Sequence, residues 1–226
     1  MTRGMWVRLG AIVLVVNAVQ WVVVEAIAAS AWRSPAYSYA TNYISDLGVP
    51  DCGVRFQGRE LCSPRHELMN ASFALEGVLF AIGVVLIARL LDGRARRVVT
   101  VLALAHGIGM IAVGVFHGSA DGPSRGLVLH VVGAGLGILC ANTVAILAGV
   151  LKGPRVSTAY RVFSVAVGVL GLVCIALVGV SASTAGVFER GSVYAWLLWS
   201  AVTGMLLLAR SGRGVRRPVV REGAGA

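Results

Sequence analysis

The stretch "GLVLHVVGAGLGILCANTVAILAGVL", residues 126–151, decides the fold. It carries no charge and no proline. A hydrocarbon core ~30 Å thick is crossed by about 20 helical residues, so this run is long enough and apolar enough to span a bilayer. Within it Gly133, Gly137, Ala141, Ala145 and Gly149 recur every fourth residue. That spacing lays a smooth stripe along one helix face, and small residues are what let helices approach closely in lipid. The stripe reads first as packing within the chain. It is also the feature a homo-oligomer would use.

Five more segments of the same kind lie at about 8–31, 67–91, 98–117, 159–183 and 192–210. All six prolines (Pro35, Pro50, Pro64, Pro123, Pro154, Pro218) fall outside the six segments, as uninterrupted helices require. The fold class is therefore all-α: a polytopic membrane protein built as a six-transmembrane-helix bundle. Composition agrees, with 57% hydrophobic residues, a mean hydropathy of +0.81 and 13% charged residues, against about 25% in soluble domains. The chain divides into a membrane domain (1–212), a long loop within it (32–66) and a basic tail (213–226). The first segment resembles a signal peptide in the small residues of "AIAAS". It is too long for an h-region and holds Asn17, Gln20 and Glu25, so it reads as an uncleaved helix.

The net charge of +10 and pI near 10.5 are topology signals. Fourteen of the 20 Lys and Arg residues fall at one set of helix ends and the tail, while Arg33, Arg55, Arg59, Arg65, Arg125 and Arg190 fall at the other. The positive-inside rule then puts both termini in the cytoplasm of a cell-membrane protein and loop 32–66 outside. The cytoplasmic excess suits anionic lipid head groups, and nucleic acid is not expected as a partner. Cys52 and Cys62, both in loop 32–66, read as a disulfide on the exported side. Cys140 and Cys174 read as small packing residues within helices.

Chemistry concentrates at the outer ends. Loop 32–66 contains "NYISDLG", residues 42–48, where Ile44 and Leu47 would dock on the bundle, Gly48 would let the chain turn, and Ser45 and Asp46 would face the histidines or cap a helix. Glu25 and Glu76 are ionisable groups within spans, which are costly and mark candidate sites. In a helix covering 98–117, His106 and His117 would share a face. Folding the six helices together gathers Ser45, Asp46, His66, Asn70, Glu76, His117, Asp121, His130, Glu189 and Arg190 as candidate ligand-binding residues. His117, Asp121 and His130 match a metal site in ligand type, but no metal motif supports them, and neither a metal nor any other cofactor is expected.

Three phrases together, "ISDLG" after the first helix, "MNASFALEGVLFAIG" opening the second and "GVFHGSADGPSRGLVLHVVGA" leading into the fourth, resemble domain of unknown function family 998. The resemblance implies multi-pass prokaryotic membrane proteins of about six helices, with Ser45, Asp46, Gly48, Asn70 and His130 as motif positions. It supplies no activity. The leading functional expectation is binding of a lipid head group or small ligand, or an accessory membrane role, at an external polar mouth. The alternatives are a lipid-modifying enzyme of the hydrolase type at the outer leaflet and a small-solute or proton-coupled transporter. Whether the chain is an enzyme is open at this point.

Overall fold

The computed structural model describes residues 2–56, 59–117, 124–151 and 156–214. Six helices carry the fold: α1 (Arg3–Ala31), α2 (His66–Ile87), α3 (Gly93–Val115), α4 (Arg125–Val150), α5 (Thr158–Leu177) and α6 (Ala185–Gly214). All six are long and apolar enough to cross a membrane. Each packs on the next, α6 closes back onto α1, and α4 also touches α6 across the ring. Trp6 of α1 lies under the Arg89 guanidinium just after α2, and Arg161 of α5 donates to the Val150 and Leu151 carbonyls at the end of α4. One end of the bundle therefore collects the arginines (the basic end). The opposite end carries the α1–α2 connection (the cap end).

Glycine sets the interhelical distances. A Cβ at Gly10 would meet the Gly83 carbonyl at 2.9 Å, and one at Gly77 would meet the Gly107 carbonyl at 2.8 Å. At Gly109 it would meet the Gly133 carbonyl at 2.5 Å, at Gly149 the Arg161 carbonyl at 2.5 Å, and at Gly204 the Ala11 carbonyl at 2.6 Å. Helices that gain nothing by excluding lipid must associate by close packing, and these contacts do so at five of the six neighbouring pairs. All five residues of the α4 stripe are buried. Inside the ring, Leu14, Trp21, Phe73, Phe80, Trp196 and Trp199 are almost wholly enclosed. Outside, residues such as Val101, Ile108, Val131, Val132 and Leu170 present an apolar belt.

Helix ends differ from a reading of hydropathy in an instructive way. α3 starts at Gly93 rather than near residue 98, because Arg94, Arg96 and Arg97 occupy its first turns. α6 starts at Ala185 rather than near 192, because Glu189 and Arg190 find partners inside the protein and leave the helix unbroken. Conversely, α3 stops at Val115, so His117 is not on the helix and shares no helical face with His106. Residues 178–184 leave α5 in turns and a short 3-10 helix instead of continuing the span.

The cap, between α1 and α2, contains a 3-10 turn at Ser45–Gly48 and a small hairpin, β1 (Val54–Phe56) with β2 (Arg59–Leu61). Cys52 and Cys62 form a disulfide at its base, where closing a loop of this size contributes about 2–3 kcal/mol by the chain-entropy argument. Ile44 and Leu47 are buried in the core cluster, docking the phrase on the bundle as expected. Gly48 ends the 3-10 turn and also makes room for a neighbouring side chain. Its φ is not left-handed, and a Cβ there would lie 2.2 Å from Asn70 Oδ1. The side chain of Asn70 occupies that space and donates to the Gly48 carbonyl at 2.8 Å.

Candidate functional site

Three polar clusters run from the middle of the bundle to the cap. The deepest links five helices. Glu76 Oε1 accepts from Asn17 Nδ2 and from Trp196 Nε1, each at 3.1 Å. Its Oε2 lies 2.9 Å from His106 Nε2, and His106 Nδ1 lies 2.8 Å from the Gly137 carbonyl. A carbonyl can only accept, so Nδ1 carries a proton. The Glu76–His106 bond then contains one further proton, on whichever partner, and the pair is electrically neutral as a unit. Both side chains are completely enclosed. This arrangement answers the cost of burying charge and ties α1, α2, α3, α4 and α6 together.

The second cluster fastens the cap. Arg190 Nε pairs with Glu25 Oε1 at 3.0 Å, and Nη1 donates to the carbonyls of Tyr39, Asn42 and Gly186 at 2.8, 2.9 and 3.1 Å. Nη2 donates to the Tyr37 hydroxyl, which in turn donates to the Tyr43 carbonyl at 2.7 Å. Glu25 Oε2 is held by Trp21 Nε1 at 3.2 Å and the Tyr194 hydroxyl at 3.0 Å. Burial pushes the Tyr37 phenol well above the usual tyrosine range, against the lowering effect of Arg190, so it stays a donor. Arg190 is thus spent on holding residues 37–42 against α6.

The third cluster forms the wall of a cavity. Asp46 Oδ2 accepts from Arg59 Nε and the Tyr43 backbone N–H at 2.9 Å each and from Asn42 Nδ2 at 3.3 Å. Arg59 stacks over the Tyr43 ring, 4.1 Å from its centroid. Glu189 accepts through Oε2 from the backbone N–H of Ile44. His130 Nδ1 lies 2.8 Å from the Phe116 carbonyl and donates to it, and the Val113 carbonyl also bears on the ring. Between these groups and α4, α5 and α6 lies a cavity of about 460 Å³. Tyr43, Ser45, Asp46, His130 and Glu189 form its polar side; Leu127, Val131, Ala134, Ile138, Ile175 and Val178 form its apolar side. A narrower space of about 30 Å³, also bounded by Ser45, His130 and Glu189, continues inward to Trp21 and Trp196.

Four of the expected site residues, Ser45, Asp46, His130 and Glu189, therefore line one cavity. The others do different work. Asn70 and Arg190 hold the cap, Glu76 belongs to the central cluster, and His66 turns back to the Ser63 carbonyl at 3.0 Å. His117 follows the end of α3, and Asp121 lies outside the described residues. Sequence reasoning passed over Arg59, Tyr37, Tyr43 and Trp196. Arg59 and Tyr43 sit in a loop without periodicity, so nothing local pairs them with Asp46. Trp196 carries a usable signal, since a buried indole N–H needs an acceptor and intramembrane carboxylates are few.

The sequence model of a protein family described as Protein of unknown function (DUF998) matches residues 15–206. The chain belongs to that family. The match runs from within α1 to within α6, and the family's description assigns no reaction or ligand. No curated protein and no solved structure matches the chain.

Proposed function

We propose that this DUF998 protein binds an amphipathic, lipid-like molecule in the cavity at the cap end, with its head group on the polar side and its chain between α4 and α5. One observation carries the reading. The 460 Å³ cavity has a polar side at the cap and an apolar side formed by α4 and α5. Ligand sites of this size are typically apolar with a few placed polar groups. The α4 side is open at Gly135, where a Cβ would meet nothing within 4 Å, and Val131 beside it is exposed on the outer surface of the bundle. A chain entering from the bilayer would find that route. With the basic end facing the cytoplasm, as the arginine distribution favours, the cavity addresses the outer leaflet.

The test is binding to purified protein in nanodiscs. A series of dodecyl amphiphiles with different head groups is titrated into wild type and Gly135→Phe. The substitution fills the cavity from a helical position, and replacing an interior glycine changes stability by only about 1 kcal/mol. Saturable binding to wild type that falls at least tenfold in Gly135→Phe is the expected outcome. Equal binding by the two proteins would remove the assignment.

A further inference from the structure

Resting on that cavity as a binding site, we propose that its head-group end selects a protonated primary amine, with Glu189 as the counter-ion. Among the described residues, the polar side contains two carboxylates and no lysine or arginine. Asp46 is already matched, since Arg59 meets both of its oxygens, at 2.9 Å through Nε and 3.3 Å through Nη2. The other nearby guanidinium, Arg190, is consumed by Glu25, three carbonyls and Tyr37. That leaves Glu189 outside the ion pairs of both guanidinium groups. Among the described residues it forms no ion pair, and the hydrogen bond it receives is from the Ile44 backbone to Oε2, with none shown for Oε1.

Among the described residues the carboxylates around the cavity thus divide into two ion pairs, Glu25 with Arg190 and Asp46 with Arg59, and Glu189 in neither. A carboxylate in an enclosed, largely apolar site is stabilised by a paired and hydrogen-bonded cation. An ammonium offers three N–H donors, and the remaining groups are suited to receive them. His130, whose Nδ1 proton is committed to Phe116, borders the same space. The Ser45 hydroxyl makes no hydrogen bond among the described residues and adjoins the same space. A phosphate or sulfate head would instead face the like charge of the Glu189 carboxylate.

Dodecylamine, dodecanol and dodecyl phosphate, with ethanolamine as a chainless amine, are titrated at neutral pH into wild type and Glu189→Gln in nanodiscs. Dodecylamine is expected to bind wild type at least tenfold more tightly than dodecanol, with dodecyl phosphate weakest. Glu189→Gln keeps a side-chain oxygen for the Ile44 N–H, and it should bring the amine-to-alcohol ratio to near one. Saturable dodecanol binding by the variant reports that it is folded. Binding of ethanolamine as tight as dodecylamine would keep the amine selectivity and identify a free amine, not a lipid, as its source. Equal affinity for all three dodecyl compounds, or preference for the phosphate, overturns amine selection while the amphiphile reading stands. Absence of any binding sensitive to Gly135→Phe overturns both.

Discussion

The Glu76 cluster and the Glu189 cavity wall hold similar chemistry and do opposite things with it. Each has a carboxylate, a histidine tied through Nδ1 to a helix carbonyl, and a tryptophan nearby. Around Glu76 both oxygens are engaged and the histidine uses both nitrogens. Around Glu189 one oxygen has no hydrogen bond among the described residues, and the residue borders open volume. On the proposed reading, an ionisable group inside the membrane marks a binding site only where it adjoins such volume. The cap clamp sits between these extremes, with a charged group fully employed but in fastening a loop.

That contrast can be broken at the clamp, the centre and the cavity in turn. Arg190→Ala strands Glu25 and three carbonyls in an enclosed site, and breaking a buried pair by removing one partner costs about 3–5 kcal/mol. Unfolding of the purified variant in detergent should show a loss of that size. Limited proteolysis should at the same time find the cap between residues 32 and 65 accessible. Glu76→Gln disturbs one strong bond at the centre while an amide oxygen remains for Asn17 or Trp196. Stability should fall by about 1–3 kcal/mol, with dodecylamine affinity in nanodiscs unchanged. Gly135→Phe sits at the other pole, with little effect on stability and a large effect on binding. A Glu76→Gln variant that lost binding while remaining folded would dissolve the distinction between the two clusters.

Much of the architecture was legible in the sequence because the bilayer imposes a length and a polarity that hydropathy reads directly. The α4 stripe shows how far this goes: its four-residue period gave the buried face, and the contacts of Gly133 and Gly149 with α3 and α5 make it an intramolecular seam. Helix ends were less legible. Glu189 and Arg190 lower local hydropathy, yet α6 continues through them because Ile44 and Glu25 give each a partner inside the protein. The site was legible as residue types at one end of the bundle, not as partners. Asn70 and Arg190 carry the same polar signal as Ser45 and His130, and only the hydrogen bonds separate those that hold the cap from those that border the cavity. The pairing of Asp46 with Arg59 was invisible, since it depends on a hairpin register stapled by Cys52 and Cys62.

The most direct measurement of the central claim is an experimental structure of the protein with dodecylamine bound. The account predicts density for the amine within hydrogen-bond distance of Glu189 Oε1 and for the alkyl chain beside Gly135, between α4 and α5. Ligand density confined to the basic end, with the space around Ser45, His130 and Glu189 filled by protein side chains, would contradict it.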